Sequence, residues 1–179
     1  MSKKVIVIST SLRANSNSDT LAKAFAAGAA EAGNEVELIS LIGKKLAFCT
    51  GCLACQSIGK CVIEDDAALI AEKVLQSEVI VWATPIYYYE MSGQMKVLID
   101  RMNSMYPKDY QFREVYFLST AAEDEEHTPA KALSGLQGWI DCFDKAGLKG
   151  SLFCGGVTMP GDIKGNEKLN AAREMGRKI

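Results

Sequence analysis

Val5-Ile6-Val7-Ile8-Ser9-Thr10-Ser11-Leu12-Arg13-Ala14-Asn15-Ser16-Asn17-Ser18, residues 5–18, changes character once. Four β-branched apolar residues in a row predict a strand, read as Lys4–Ser9, that is buried on both faces as in a parallel sheet covered by helices. The polar stretch that follows leads into an apolar stripe at Leu21, Ala24, Phe25, Gly28 and Ala32, spaced as one face of a helix. A loop feeding a helix N-terminus offers backbone N–H groups and a favourable dipole to an anion. Hydroxyls and amides add donors, Arg13 adds charge, and a phosphate monoester fits the set. Without a ligand the same residues read as an ordinary polar turn with Ser18 or Asp19 as helix cap.

Other loops of the α/β class are excluded by what this one lacks. It has neither G-x-x-x-x-G-K-[ST] nor G-x-G-x-x-G, so it is not a nucleotidase P-loop or a dinucleotide fingerprint. No carboxylate stands at the strand end, as a receiver domain needs, and no cysteine leads the loop, as a small cysteine phosphatase needs.

Outward from this unit the alternation repeats. Further strands are predicted at Glu35–Ser40, Val79–Ala83, Glu114–Ser119 and Gly150–Cys154. Between and after them, helical stripes run through Ala67, Ile70, Ala71 and Val74, through Met95, Leu98, Ile99 and Met102, and through Leu133, Leu136, Ile140 and Phe143. A weaker one joins Leu169, Ala172 and Gly176. These stripes are core-forming. Alternating strands and helices make a doubly wound α/β sandwich, with ligands beyond the carboxyl ends of the strands.

The third strand is expected to stop sharply at Thr84-Pro85, leaving Ile86-Tyr87-Tyr88-Tyr89 as a loop whose rings could face an aromatic ligand or pack on one another. After the fourth strand, Ser119-Thr120-Ala121-Ala122 could line a further wall. The acidic run Glu123-Asp124-Glu125-Glu126 and His127 read as solvated.

A chain of 179 residues suits a single domain, 1–179, with no repeat or linker. Hydrophobic residues make up 48% and charged residues 23%, which excludes a disordered chain. The net charge of −2 argues against a nucleic-acid partner. No apolar run is long enough for a membrane span or a signal peptide, so a cytoplasmic protein is expected.

Cys49, Cys52, Cys55 and Cys61 form a C-x2-C-x2-C-x5-C array. Such clustering suggests metal or redox chemistry. Three readings stand: a [4Fe–4S] cluster, a bare thiol loop able to form a disulfide, and structural zinc. Gly51 and Gly59 permit tight turns there, and Lys44, Lys45 and Lys60 are expected to favour thiolate. Cys142 and Cys154 are expected to be small buried hydrophobes.

Thr10-Ser11-Leu12-Arg13-Ala14-Asn15-Ser16-Asn17-Ser18-Asp19-Thr20-Leu21, then Thr84-Pro85-Ile86-Tyr87, then Ser92-Gly93-Gln94-Met95-Lys96-Val97-Leu98-Ile99-Asp100-Arg101 together resemble the flavodoxin-like FMN proteins. The branches resembled are the NADPH-dependent FMN reductases and the iron–sulfur flavoproteins. Usual members carry Gly-Ser-Pro-Arg where this chain has Thr10-Ser11-Leu12-Arg13. The resemblance implies a five-stranded parallel sheet of order 2-1-3-4-5 with helices on both faces and FMN held non-covalently. It places the phosphate on Ser11, Arg13, Asn15, Asn17 and Ser18, with Ser9 and Ser16 in the same loop. Pro85, Ile86, Tyr87 and Tyr88, after Thr84, would flank the flavin ring, and Ser119 and Thr120 would reach its polar edge.

The activity implied is a flavin-dependent NAD(P)H oxidoreductase, in which the cofactor carries the chemistry and no side chain is catalytic. The alternatives are an electron carrier of flavodoxin type, exchanging electrons with ferredoxin-like partners, and an interaction protein with a vestigial pocket. Relatives assemble as dimers or tetramers. Here the tyrosine run with Met91, Met102 and Met105 is the expected contact surface. The basic last helix, with Lys164, Lys168, Arg173, Arg177 and Lys178, reads as a solvated face.

Overall fold

The apolar run at the N-terminus is the sheet's inner strand. In the computed structural model, which describes residues 2–179, Lys4–Ser9 (β1) pairs in parallel with Glu35–Ser40 (β2) on one side and Val79–Tyr87 (β3) on the other. Glu114–Thr120 (β5) and Gly147–Cys154 (β6) complete a parallel sheet of order β2-β1-β3-β5-β6. The two-residue strand Glu90–Met91 (β4) hangs antiparallel on the end of β3. Apart from that sixth strand, the expected flavodoxin-like order is present. Strand order reverses at β1, so the crevice beyond β1 and β3 is where a ligand belongs.

Alternation along each strand feeds two cores. Ile6, Ile8, Ile80, Trp82, Val115 and Phe117 face one way. Helices Asp66–Gln76 (α3), Gly93–Arg101 (α4) and Ala130–Ile140 (α5) cover them. Val5, Val7, Val79, Val81 and Leu118 face the other way, beneath Asn17–Glu31 (α1) and Glu167–Arg177 (α6). A short helix, Ala54–Ile58 (α2), interrupts the cysteine segment, and a 3₁₀ turn, Met102–Met105, continues α4.

Several expectations change. β3 does not end at Pro85 but runs to Tyr87, pairing Pro85 with Thr120 and Tyr87 with Glu90. β1 stops at Ser9, opposite Ala83, so β3 is an open edge at Pro85, where a residue without an N–H is tolerated. Tyr88 and Tyr89 then form a two-residue hairpin with φ of 51° and 66°. That geometry suits the strand twist but costs a non-glycine residue about 1–2 kcal/mol. Tyr89 is held by stacking on His127, with ring centroids 6.4 Å apart, and lies 5.7 Å from the Lys131 ammonium.

Met91, Met102 and Met105 are buried in the core rather than available as a contact surface, because the short strand β4 places Met91, and the 3₁₀ turn Met102 and Met105, in the core cluster. Cys142 is exposed, its Sγ pointing to the Gly138 carbonyl at 3.4 Å, because α5 ends at Ile140 and turns it outward; Cys154 is buried as expected. Among the described residues no helix is long and apolar enough to cross a membrane.

α6 lies directly on α1 through glycine notches. A Cβ at Gly28 would stand 1.9 Å from the Arg173 carbonyl oxygen, and one at Gly176 would stand 2.2 Å from that of Phe25. At the rim, Arg173 and Arg177 donate to the Glu31 carboxylate. Those bonds, Arg173's first, lower Glu31 from its ordinary value near 4.5 to about 2. A depressed carboxyl contributes stability above its unfolded value and loses it as pH falls through the folded one. Urea midpoints should therefore fall between about pH 4.5 and 2 by more in the native chain than in Glu31→Gln, where equal slopes would count against the strap.

Candidate functional site

The predicted anion loop is built by the end of β1 and the start of α1. Ser16 caps the helix, its hydroxyl accepting from the Asp19 amide at 3.2 Å, so the first turn of a fifteen-residue helix opens at the sheet's edge. Beside it lies a cavity of about 230 Å³. Ser11, Arg13, Ser16, Asn17 and Ser18 form one side; Pro85, Ile86 and Tyr87, from the end of β3, form the next. Thr120 ends β5 with Ala121 and Ala122 after it, and Val157 with Thr158 follows β6.

Other predicted residues do not reach this cavity. Ser9, Thr84 and Ser119 are fully buried below its rim because their strands carry them into the sheet. The Thr84 hydroxyl accepts from the Ser92 amide at 3.1 Å, and the Ser92 hydroxyl caps α4. Thr10, 3.0 Å from both the Ser92 hydroxyl and the Ala83 carbonyl, ties the loop to that cap. Asn15 takes a left-handed turn with φ of 54°, is exposed and does not line the cavity, and Tyr88, 96% exposed, stands outside at the hairpin tip.

Asn17 lines the cavity, but its side-chain amide is already engaged. It donates to the Met159 carbonyl at 3.0 Å and accepts from the amides of Gly161 at 3.1 Å and Ile163 at 3.3 Å. Arg13 donates to the Thr158 carbonyl at 2.7 Å. The polar loop after β1 thus carries the segment after β6 as its outer wall. Ala121 and Ala122 stand in the wall expected after that strand, whereas Val157 and Thr158 escaped sequence reasoning; their only cue is that they follow a strand end. The hydroxyls, the arginine and the helix N-terminus suit a phosphate, and the apolar Pro85, Ile86 and Val157 suit a flat ring system, so the residues present fit FMN.

The four cysteines line one recess, with Arg101 and Asn103 beside them. Gly51 and Gly59 have φ of 67° and 73°, the turns expected of them, and Leu53 is also left-handed, at 57°. Asn103 donates to Cys55 Sγ at 3.5 Å and Arg101 to Cys61 Sγ at 3.4 Å. The Ala54 amide, and next the Thr50 hydroxyl, lower the pKa of the Cys52 thiol. Positive charge at a sulfur comes from Arg101; of the lysines expected there, Lys44 pairs with Asp66 instead. Burial raises the Asp65 carboxyl, but bonds from Arg101 and the Ala47 amide outweigh it and hold the group below its ordinary value. Cys49 and Cys52 are exposed. Among the described residues, no three His, Cys, Asp or Glu side chains are grouped to hold one metal ion. A four-iron cluster distributes its thiolates over separate irons. Four thiols around one recess, two of them already meeting N–H donors, fit that chemistry.

Residues 3–137 match the family described as NADPH-dependent FMN reductase. An iron–sulfur flavoprotein of Methanocaldococcus jannaschii is 41% identical over 98 residues, 55% of this chain and 51% of that one. An iron–sulfur flavoprotein of Methanosarcina thermophila is 26% identical over 156 residues, 87% of this chain and 82% of that one. The chain therefore spans about half the length of the first relative and most of the second. Among solved structures, an NAD(P)H:quinone oxidoreductase from Methanothermobacter marburgensis superposes with a TM-score of 0.71 at 19% identity, covering 99% of this chain and 98% of that one. That likeness is one of fold.

Proposed function

Because the chain belongs to the NADPH-dependent FMN reductase family, we propose that it is an FMN-dependent oxidoreductase taking electrons from NAD(P)H. The observation that carries this reading is the convergence of Ser11, Arg13, Ser16 and Ser18 with Pro85, Ile86 and Tyr87 on one cavity at the sheet's switch point. When bound, FMN supplies the electron-transfer chemistry. The residues' task is to bind and orient it. The serine hydroxyls, the Arg13 guanidinium and the first turn of α1 receive the phosphate, while Pro85, Ile86 and Tyr87 give the ring a rigid wall.

The cysteine loop is proposed as a [4Fe–4S] site on Cys49, Cys52, Cys55 and Cys61. This rests on the shared recess, the N–H donors at two sulfurs, and relatives whose names carry iron–sulfur. Free thiols suit a reducing cytoplasm, where we place the protein. The chain acts as one FMN-binding domain whose partners are small-molecule or protein redox partners, and it assembles as a dimer or tetramer.

The spectrum of anaerobically purified protein, with iron and acid-labile sulfide assays, tests both cofactors. Flavin bands bleached by NADPH are expected, with iron and sulfide in equal amounts. Protein that stays colourless with added FMN refutes the oxidoreductase; flavin without iron refutes only the cluster.

A further inference from the structure

Between Ile42 and Asp65 the chain has little regular structure, with the five residues of α2 as its one helix. Such a segment keeps a shape only through what ties it down. The ties are concentrated at its neck. The Lys45 amide donates to Asp66 at 2.8 Å, and the Asp66 amide donates back to the Lys45 carbonyl at 3.1 Å. One turn further in, the Ala47 amide donates to Asp65 at 2.7 Å. Arg101, from the end of α4, closes the set. It donates to the Ala47 carbonyl at 2.8 Å on the incoming side, to the Ile63 carbonyl at 3.0 Å on the outgoing side, and to both Asp65 oxygens at 2.6 and 2.8 Å. Its remaining contact is Cys61 Sγ. Every cysteine of the array lies between Ala47 and Ile63, so this one guanidinium joins the two ends of the segment that carries them.

The pair is buried: the Arg101 side chain is 1% exposed and that of Asp65 is 8%. A buried ion pair is a weak source of stability compared with apolar packing, and its better-attested use is to specify one arrangement. Neither residue lines the FMN cavity. Only a planar fork with several donors can serve two carbonyls, a carboxylate and a sulfur together; an ammonium on a flexible stem cannot.

We propose that Arg101 is a positioning residue: with Asp65 it clasps the neck of the cysteine loop and arranges the thiols before any cluster is built, and its N–H on Cys61 Sγ raises the potential of the cluster that forms. The clasp is a property of the metal-free chain; its effect on potential rests on the iron–sulfur reading above. Hydrogen bonds to ligand sulfurs and nearby positive charge favour the reduced, more negative cluster.

Hydrogen–deuterium exchange of the full-length, reduced, metal-free protein, compared with Arg101→Lys and Arg101→Gln, tests the clasp. Amides at residues 45–47 and 63–67 should exchange about tenfold faster in both variants, while those of β1 and β3 stay within about twofold, and FMN affinity is unchanged. After anaerobic reconstitution in parallel, Arg101→Lys should hold less than about half the iron of the native protein, and clusters formed in Arg101→Gln should have a lower midpoint potential. Loop exchange in Arg101→Lys within about twofold of native overturns the proposal, as does full iron with unchanged potential in Arg101→Gln. If Arg101→Gln does not fold, the lysine variant decides. If native protein takes up no iron, the cluster reading fails, and exchange alone decides the clasp.

Discussion

Gly28→Val should lower stability by about 3 kcal/mol, the upper end of what overpacking costs, because its Cβ would collide with backbone rather than with a side chain that can rotate away. The Arg173 carbonyl belongs to α6, so relief requires the whole helix to lift and uncover Phe25 and Ala172. Helix propensity works the other way, since valine is the better helix former by some tenths of a kcal/mol, but that gain is too small to offset the collision. The melting midpoint should fall by about 6–12 °C for a chain of this size. Ala27→Val, on the exposed face of the same helix, supplies the control and should stay within about 0.5 kcal/mol of native. Equal midpoints for the two variants would mean that α6 does not dock on α1 through these notches.

The second large effect concerns the cofactor. Arg13→Ala should weaken FMN binding about ten- to a hundredfold, as expected for losing a hydrogen bond to a charged group worth roughly 1.5–3 kcal/mol. Quenching of free FMN fluorescence on titration with apoprotein measures it directly. Two losses coincide in this variant. The phosphate forfeits its one arginine, and the segment after β6 forfeits the bond to the Thr158 carbonyl. Riboflavin, which has no phosphate, separates them: its affinity should barely change if charge dominates and should fall in step with FMN if the wall collapses. Arg13→Lys should recover part of the loss, keeping the charge without the fork. Native FMN affinity in Arg13→Ala would move the phosphate away from this loop.

What could be read along the chain was read where neighbours decide. Val5-Ile6-Val7-Ile8 had to be an inner strand, and Leu21, Phe25 and Gly28 had to share a helix face, because periodicity is a local property. The same holds for Ser11, Arg13, Ser16 and Ser18, whose cavity side follows from a polar loop meeting a helix N-terminus. Errors arose where a distant neighbour overrode a local signal. Pro85 reads as a stop, yet β5 on one side and β4 beyond hold it in a strand. Met102 and Met105 read as surface candidates, yet the turn after α4 drives them inward. Ser9, Thr84 and Ser119 are carried by their strands into the sheet and do not line the cavity, a depth that spacing along the chain does not record.

The strand–helix alternation, the polar loop after β1 and the spacing of the cysteines are legible along the chain, since each is set by residues close together, and the parallel order followed from the family likeness. It took the folded chain to show that Thr158 meets Arg13 at the cavity wall, that Gly28 and Gly176 admit one helix to another, and that Arg101 reaches Ala47, Ile63 and Asp65 at once. Those partners stand tens to more than a hundred residues apart. Their meeting depends on how helices settle on the sheet, and no local pattern records it.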